Sequence, residues 1–251
     1  MRSVLVTGGA KRLGWAISEH LAETGWHVII HCNASIDQAQ ALQDRIRGRG
    51  GVADIVRQDL FDTARCADVI TRAADAAGRP LTGLVNNAAM FDFDTALDVS
   101  LDLLEAHWKL NLAAPLMLSA AFAKQAIAAD NPSIVHITDQ KVVNPNPDFY
   151  SYTASRAALA GMIAPMTMGF AGKCRVNAVA PGALLPSFGL SDDKFDQVSA
   201  DNPMGKPIAL SDVARTVAFL LESGAVNGET LFAANGQQWT PSKRDVMFNA
   251  G

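Results

Sequence analysis

The stretch Val4-Leu5-Val6-Thr7-Gly8-Gly9-Ala10-Lys11-Arg12-Leu13-Gly14 decides the fold of this chain. Its first three residues predict a short buried strand, and apolar residues then recur at helical spacing over residues 13–21. Gly8 allows a sharp turn out of the strand, and Gly14 allows the helix to pack closely on a sheet. Free amides at the start of such a helix bind a pyrophosphate. The stretch therefore predicts a dinucleotide site.

Strand-like and helix-like segments alternate along the rest of the chain. Further apolar, β-branched runs lie at residues 28–30, 55–56, 84–85, 134–137, 176–179 and 230–232. Amphipathic patterns predict helices over residues 36–46, 63–76 and 211–222. Alternation of this kind implies parallel strands with right-handed crossovers. We therefore predict one α/β domain over residues 1–251: a doubly wound, Rossmann-like parallel sheet of about seven strands with helices on both faces.

The composition is that of a globular protein with a small-molecule partner. The 251 residues are 49% hydrophobic and 18% charged, which supports a large core and argues against disorder. The 21 Lys and Arg against 25 Asp and Glu give a net charge of -4, so no nucleic-acid surface is expected. The cysteines and histidines lack the spacing of a disulfide framework or a metal site, so neither is predicted.

The chain shows no targeting or membrane signal. The N-terminus lacks the apolar core and cleavage site of a signal peptide. The longest charge-poor stretch, residues 111–129, is interrupted by proline and polar residues and is unsuited to a bilayer. We expect a cytoplasmic protein with no membrane partner.

Two predicted helical stretches, residues 110–129 and 150–172, are apolar on nearly every side. Each carries one charged residue, Lys124 in the first and Arg156 in the second. Helices of this kind need burial on several faces, either inside the subunit or between subunits. We favour a homo-oligomer, a tetramer or a dimer, formed through these helices. Pro165 is expected to kink the second helix or to end it early.

The residues after the second predicted strand indicate which dinucleotide binds. An acidic residue there would bind the ribose 2′-hydroxyl of NAD, but residues 31–35 read HCNAS. Lys11 and Arg12 add positive charge in the neighbouring turn. Arg12, Asn33 and Ser35 can hold a 2′-phosphate through charge-assisted and neutral hydrogen bonds. The pattern therefore predicts NADP(H) as the cofactor.

A phenol and a cation stand four residues apart at Tyr152 and Arg156, hence on one face of a predicted helix. A nearby cation favours the phenolate and is expected to lower the pKa of the tyrosine from about 10. Such a tyrosine can give a proton to a carbonyl or imine that receives hydride. The same spacing also occurs in ordinary surface contacts, so the pair by itself leaves both explanations open.

These motifs, taken in order, resemble the short-chain dehydrogenase/reductase family over essentially the whole chain. The TGGAKRLG turn matches the family's TGxxxGxG except at Arg12, and residues 86–89 (NNAA) are similar to its NNAG motif. The resemblance implies catalytic roles for Asn111, Tyr152 and Arg156. It implies cofactor contacts by Gly8, Lys11, Arg12, Leu13, Gly14, Asp59, Leu60, Asn87, Ala88, Arg156, Pro181 and Gly182.

Two positions depart from the family pattern. Arg156 stands where the family has the lysine that binds the nicotinamide ribose, and arginine is bulkier, planar and differently directed. Asp139, thirteen residues before Tyr152, stands where the family has a serine. An ionised carboxylate cannot donate a hydrogen bond to a substrate carbonyl, so Asp139 implies a different substrate.

Aspartate at this position, with the TGxxKRLG form of the turn, resembles the pteridine reductases and dihydromonapterin reductases of the family. A pterin offers N–H donors to a carboxylate, and its C=N bond takes up a proton as hydride arrives. Asp139 would orient this substrate and relay the proton with Tyr152. Phe91 has the spacing of the ring that stacks on the pterin, whereas Ala89 replaces a serine of the pteridine reductases. We therefore predict substrate binding by Phe91, Asp139 and Tyr152.

Two other functions remain open from the sequence. The chain is a carbonyl or 3-oxoacyl reductase if Thr138 takes the place of the family serine, or an NADP(H)-binding sensor if Arg156 has abolished catalysis. Residues 184–203 lie where the family has its substrate loop, and their Pro and Gly content predicts an irregular segment. Residues 242–251 carry no interpretable pattern.

Overall fold

The computed structural model describes residues 1–127, 130–186 and 191–248, and these contain one seven-stranded parallel sheet. Its strands are β1 (Ser3–Val6), β2 (His27–Cys32), β3 (Val52–Arg57), β4 (Gly83–Asn86), β5 (Ser133–Ile137), β6 (Arg175–Pro181) and β7 (Thr230–Ala233). They lie in the order β3-β2-β1-β4-β5-β6-β7, so the direction of winding reverses between β1 and β4. Ligands bind outside the carboxyl ends of the strands at such a reversal. The predicted fold is confirmed.

Helices in the described residues cover both faces of the sheet. They are α1 (Arg12–Glu23), α2 (Ile36–Gly48), α3 (Cys66–Ala77), α4 (Leu101–Trp108), α5 (Ala114–Gln125), α6 (Tyr150–Gly161), α7 (Ile163–Gly169), α8 (Asp192–Ser199) and α9 (Leu210–Glu222). Helices α1, α2 and α9 pack on one face, and α3, α5 and α7 pack on the other. Successive residues of β1 alternate between these cores, with Val4 and Val6 on one side and Leu5 on the other.

The two long apolar stretches are each divided. The first contains a π-helical turn, Lys109–Ala113, before α5, and residues 128–129 lie outside the described residues. Such turns are frequent at functional sites. The second stretch changes from α6 to α7 at Met162, and Pro165 lies in the first turn of α7, where no amide donor is needed. The early helix end predicted from Pro165 is confirmed.

The predicted substrate loop is more regular than expected. Helix α8 lies within residues 184–203, and it buries Phe195 and Val198, which are one helical turn apart. This short amphipathic pattern favours a helix although Pro and Gly residues lie on either side of it. Residues 187–190, which include Ser187 and Gly189, lie outside the described residues.

Close backbone contacts fix the turn after β1. Gly8 has a φ of 59°, in the left-handed region that favours glycine. A Cβ atom on Gly14 would lie 2.0 Å from the Gly8 carbonyl oxygen and 2.8 Å from Asn87 Nδ2. Arg12 also has a left-handed φ, 52°, at the position where the family pattern has a glycine, so its backbone is strained.

We expect Gly14→Ala to lower the free energy of unfolding by about 1–3 kcal/mol, because the added methyl group overlaps the Gly8 carbonyl oxygen. Urea denaturation followed by circular dichroism measures this change. Gly48→Ala is the matched control, since Gly48 is an exposed helical residue with no atom within 4 Å of its Cβ position. Equal stability of the two variants would contradict the close contact.

Candidate active site

A groove runs along the carboxyl ends of the central strands. Its first part is a cleft of about 360 Å³ lined by Gly8, Lys11, Arg12, Leu13, Gly14, Asn33, Ser35, Asp59, Leu60, Asn87 and Ala88. The second part is a cavity of about 400 Å³ that Arg156, Pro181 and Gly182 help to line. Arg12 and Leu13 line both parts. The structure thus brings the predicted cofactor-binding residues together along one groove.

The start of α1 suits a pyrophosphate. Its N-cap residue, Lys11, makes no side-chain hydrogen bond to the helix, which leaves the first amides for an anion. Gly8 and Gly14 place no side chain between the backbone and the cleft, and Arg12 adds positive charge at the same turn. These residues fit the phosphates of a dinucleotide.

His31 fixes the glycine turn against the end of β2. The Gly8 N–H donates to His31 Nδ1 at 3.1 Å, so Nε2 carries the proton and donates to the Gln58 carbonyl oxygen at 3.1 Å. Burial lowers the pKa of His31 to about 4, so the imidazole is neutral at neutral pH. The spacing of the histidines along the chain gave no indication that His31 belongs to the site. Its place at the end of β2, beside the glycine turn, is the signal that points to one.

The residues predicted to hold a 2′-phosphate are arranged differently from the expectation. Asn33 and Ser35 lie at the rim of the cleft, and Arg57 Nε donates to the Asn33 carbonyl oxygen at 3.1 Å. Arg57 is therefore a cation beside this rim that the sequence pattern did not identify. Arg12 instead donates from Nη2 to the Pro186 carbonyl oxygen at 3.1 Å, so its guanidinium points towards the segment before α8.

Tyr152, Asp139 and Arg156 meet beyond the carboxyl end of β5. The Tyr152 hydroxyl donates to Asp139 Oδ2 at 2.7 Å, and Asp139 Oδ1 accepts the Lys141 N–H at 2.8 Å. Arg156 Nη1 donates to the Ile137 carbonyl oxygen at 3.1 Å. Its Cζ lies 5.2 Å from the centre of the Tyr152 ring. The spacing of Tyr152 and Arg156 on α6 thus does place both side chains at one point.

The electrostatics of this centre are opposite to the expectation for Tyr152. Burial raises the pKa of Asp139, and its hydrogen bonds from Lys141 and Tyr152 only partly oppose that shift. Burial and the charge of Asp139 raise the pKa of Tyr152, and Arg156 offsets part of the rise. The expected lowering of the tyrosine pKa is not found, because the hydroxyl faces a carboxylate and is shielded from water. Tyr152 therefore holds its proton at neutral pH.

Asn111 is buried in the π-helical turn, and its side-chain amide bonds to Met90 and Ser155 rather than to the Tyr152 hydroxyl. Its Oδ1 accepts the Met90 N–H at 3.0 Å, and its Nδ2 donates to the Met90 carbonyl oxygen and to Ser155 Oγ, each at 3.1 Å. Ser155, which the sequence did not single out, donates to the Tyr152 carbonyl oxygen at 2.7 Å. Asn111 therefore joins the segment before Phe91 to the helix that carries Tyr152.

Phe91 belongs to an aromatic cluster beside Tyr152. Its ring stacks on Phe149, with centroids 3.9 Å apart and an interplanar angle of 18°. It meets the Tyr152 ring edge-on at a centroid distance of 4.6 Å. Phe91, Asp139 and Tyr152 all line the cavity of about 400 Å³. The three predicted substrate-binding residues thus share one cavity.

Asp94 fixes the start of α6. Its carboxylate accepts the Ser151 N–H at 2.9 Å and also the Ser151 hydroxyl, and its backbone carbonyl accepts the Tyr150 N–H at 3.3 Å. A carboxylate is favourable at a helix N-terminus, where the helix dipole is positive. Asp94 therefore orients the helix on which Tyr152 stands.

Neither a metal centre nor a bilayer span is found in the described part of the chain. No group of three or more His, Cys, Asp or Glu side chains there is placed to hold a metal ion. None of its helices is both long enough and apolar enough to cross a bilayer. The cysteines at positions 32, 66 and 174 are buried free thiols.

The family model for short chain dehydrogenases matches residues 2–193. The chain belongs to this family. The predicted enzyme class, an oxidoreductase of the short-chain dehydrogenase/reductase family, is thereby confirmed.

Solved and curated relatives of this short-chain dehydrogenase match nearly its full length. FolM alternative dihydrofolate reductase 1 from Brucella suis, solved in complex with NADP, is 35% identical with a TM-score of 0.91, covering 97% of this chain and 98% of its own. An NADPH-dependent aldehyde reductase-like protein of Arabidopsis thaliana is 25% identical over 92% of each chain. The 3-oxoacyl-[acyl-carrier-protein] reductase FabG of Aggregatibacter actinomycetemcomitans is 27% identical over 93% of this chain and 98% of its own.

The C-terminal segment of this short-chain dehydrogenase, residues 242–248, packs beside the part of the groove that contains Tyr152. Lys141 anchors it: the buried ammonium donates to Asp245 Oδ2 at 2.8 Å, Asn146 Oδ1 at 2.8 Å and the Asp148 carbonyl oxygen at 3.0 Å. These three bonds use all the donors of a lysine. The ion pair of Lys141 and Asp245 thus fixes the segment to the turn that carries Asp139.

Further contacts hold the same segment. Arg244 Nε donates to the Asp148 carboxylate at 2.8 Å, and the Asp245 N–H donates to that carboxylate at 2.7 Å. Phe248 packs against Phe149, with centroids 6.0 Å apart. Met247 lines the cavity of about 400 Å³. The C-terminal segment, for which the sequence had no interpretation, is therefore a wall of the site.

We expect Asp245→Asn to lower stability by about 1–3 kcal/mol, because the buried Lys141 ammonium then has a neutral partner. The loosened segment should also be cleaved faster by trypsin after Lys243 or Arg244. Thermal unfolding and timed proteolysis with mass spectrometry measure the two effects. Asp75→Asn, at an exposed helical position, is the control, and equal cleavage rates in both variants would argue against the anchor.

Proposed function

We propose that this protein is a cytoplasmic NADPH-dependent reductase that transfers hydride to a C=N bond of a pterin-like substrate. The observation that carries the proposal is the hydrogen bond from the Tyr152 hydroxyl to Asp139 in the groove. A carboxylate there accepts N–H donors of a heterocycle, which the serine usual in the family is less suited to do. The similarity to FolM alternative dihydrofolate reductase 1 of Brucella suis supports the same substrate class.

NADP(H) is the cofactor, as in the Brucella suis structure. When bound, it supplies the hydride. Its phosphates would lie at the start of α1, with Lys11, Asn33, Ser35 and the newly identified Arg57 at the 2′-phosphate. Asp59 and Leu60 would contact the adenine, and Asn87 and Ala88 the middle of the cofactor. Arg156, Pro181 and Gly182 would lie beside the nicotinamide half. The whole chain, residues 1–251, would form this one cofactor-binding domain.

Arg156 offers a specific fit to the ribose. Its Nε is buried and has no hydrogen-bond partner among the described residues, whereas Nη1 is held by the Ile137 carbonyl oxygen. A buried donor of this kind needs a partner, and a ribose hydroxyl is an acceptor. Arginine would thus perform the ribose contact of the family lysine while its charge stays beside Tyr152.

Tyr152 and Asp139 would supply the proton that the substrate nitrogen takes up. The raised pKa of Tyr152 keeps the phenol protonated, and the raised pKa of Asp139 lets it carry a proton more readily than an exposed aspartate. Tyr152 would give its proton to the nitrogen. Asp139 would then take up a proton from solvent and return it to Tyr152 across their 2.7 Å hydrogen bond. General acid catalysis of this kind is worth about 10²–10⁴ in rate.

The shape of the cavity is compatible with a flat ring. Phe91, braced by Phe149 on one face, forms an aromatic wall, and Leu184 and Met247 add apolar surface. Planar heterocycles stack favourably on such walls. A planar substrate would therefore be oriented with its donors towards Asp139.

The competing carbonyl reductase function requires Thr138 to act as the family serine. In this structure Thr138 is buried, and its hydroxyl donates to the Val179 carbonyl oxygen at 3.2 Å. That bond turns the hydroxyl proton away from a substrate carbonyl. The aldehyde and 3-oxoacyl reductases among the relatives nevertheless make this the alternative to test.

We expect dihydropterins, and not β-keto esters, to be reduced with NADPH. Asp139→Ser should lower kcat/KM for the dihydropterin by about 10²–10⁴, because the proton relay is lost. In the wild type, kcat should fall as pH rises through the Asp139 pKa, since the carboxylate must take up a proton before it can reprotonate Tyr152. Burial raises that pKa, so the fall lies at higher pH than for a free aspartate, and it should vanish in Asp139→Ser. Stopped-flow and steady-state absorbance of NADPH measure these rates.

Asp75→Ser, at an exposed position on α3, is the control for that substitution and should retain the wild-type profile. Turnover of β-keto esters alone would overturn the pterin proposal in favour of the carbonyl or 3-oxoacyl reductase.

The sensor alternative depends on Arg156, and Arg156→Lys tests it. An active enzyme should show a similar or lower rate in the variant, because lysine loses the bond to the Ile137 carbonyl oxygen and the Nε donor. NADPH fluorescence titration and the dihydropterin assay measure binding and turnover separately. Arg65→Lys, at an exposed position, is the control. An inert wild type with an active lysine variant would establish the sensor.

The assembly we propose is a homo-oligomer, a tetramer or a dimer, formed through residues 110–129 and 150–172. Within these stretches Met117, Ile127, Tyr150 and Met168 remain exposed on the subunit. Covering them with a second copy removes apolar surface from water.

A further inference from the structure

Phe91 lies in a segment that is held on both sides of its ring. Asn111 bonds to the N–H and to the carbonyl oxygen of Met90, one residue before Phe91. The Asp92 N–H, one residue after it, donates to His107 Nε2 at 3.4 Å. Phe91 therefore lies between two anchored peptide groups. The second anchor is an imidazole that takes no part in the proposed proton transfer.

His107 is a fully buried side chain in the last turn of α4. Its Nδ1 donates to the Leu103 carbonyl oxygen at 3.0 Å, so the proton of the neutral ring is on Nδ1 and the lone pair is on Nε2. Burial lowers the pKa of His107, and the charge of Arg156 adds to that shift. The bond to Leu103 and the carboxylates of Asp92 and Asp94 only partly oppose it. The ring is thus neutral at neutral pH and accepts at Nε2.

The His107 ring also meets the Tyr152 ring edge-on, with centroids 6.2 Å apart and an interplanar angle of 70°. Phe91 and Tyr152 both line the cavity of about 400 Å³. His107 is therefore linked to two residues of the cavity wall, to one by a ring contact and to the other through the neighbouring peptide. Because its side chain is 0% exposed, it acts through these residues and not by contact with a substrate.

We propose that His107 is a positioning residue that fixes Phe91 and thereby favours a flat ring as the substrate. Binding groups need supporting hydrogen bonds to stay within about 0.5 Å of the productive geometry. Without the bond from the Asp92 N–H, Phe91 is anchored on one side only, so a ring that stacks on it must order the segment at a cost in affinity. The proposal rests on the proposed function, since stacking of the substrate on Phe91 is part of it.

Two substitutions that each keep one of the two hydrogen bonds test this role. In His107→Asn the amide nitrogen ends near the position of Nδ1 and can donate to the Leu103 carbonyl oxygen, but no acceptor reaches the Asp92 N–H. In His107→Gln the longer side chain reaches the position of Nε2, and its oxygen can accept from the Asp92 N–H.

We expect His107→Asn to raise the KM for 6-methyl-7,8-dihydropterin by about 5–10-fold, because one anchor of Phe91 is lost. In His107→Gln the KM should stay within about 2-fold of the wild-type value, since that anchor is kept. In both variants kcat and the Kd for NADPH should be nearly unchanged. Steady-state absorbance and NADPH fluorescence titration measure these constants.

Amide hydrogen exchange at Asp92, followed by residue-resolved mass spectrometry, reports the anchor itself and needs no substrate. Exchange should be about 10-fold faster in His107→Asn than in the wild type, because the N–H has lost its acceptor, and close to the wild-type rate in His107→Gln. His20→Asn is the control, because His20 is half-buried in the last turn of α1 and lines neither part of the groove. It should match the wild type in every measurement.

An unprotected Asp92 amide in the wild type, or a wild-type KM in His107→Asn, would overturn the positioning role. Equal losses of KM, kcat and NADPH affinity in both variants would also overturn it, because they would reflect a general loss of packing. Faster exchange in His107→Asn alone, with no dihydropterin turnover by any of the proteins, would keep the positioning of Phe91 and overturn the proposed function.

Discussion

The hydrogen bond between the Tyr152 hydroxyl and Asp139 ties the end of β5 to the first turn of α6, and the arrangement of the groove follows from it. To make this bond, α6 must start at a fixed place, which Asp94 ensures through Ser151. The turn after Asp139 must also hold its shape, which the Lys141 N–H ensures. Burial of the pair then sets its chemistry, because a shielded phenol beside a carboxylate retains its proton.

The two halves of the groove are stabilised by different kinds of interaction. The cofactor half depends on backbone approach: Gly14 packs against the Gly8 carbonyl oxygen, and neutral His31 holds the Gly8 amide. The half that contains Tyr152 depends on charge: the buried Lys141 is paired to the buried Asp245, and the buried Asp148 is paired to the half-exposed Arg244. A buried ion pair contributes little net stability but makes misplacement of either partner costly. The C-terminal segment is therefore positioned accurately without a strand or long helix of its own.

Local patterns account for what the sequence could predict. The glycine turn and the four-residue spacing of Tyr152 and Arg156 each involve residues that are close in sequence. The pattern of apolar residues located every strand of the sheet. The roles of Asp94 and Asp245 could not be predicted, because their partners Ser151 and Lys141 are 57 and 104 residues away. The direction of the Tyr152 pKa shift was missed for the same reason, since burial and the facing carboxylate are properties of the packed chain.

The C-terminal wall also divides the groove by the origin of its residues. Among the described residues, the cleft beside β1 and β2 is lined by residues between Gly8 and Leu110, whereas the cavity beside Tyr152 combines Arg12 with Met247. The shape of that cavity therefore depends on contacts between distant parts of the chain, so a change near Met247 alters the cavity without touching the lining of the first cleft.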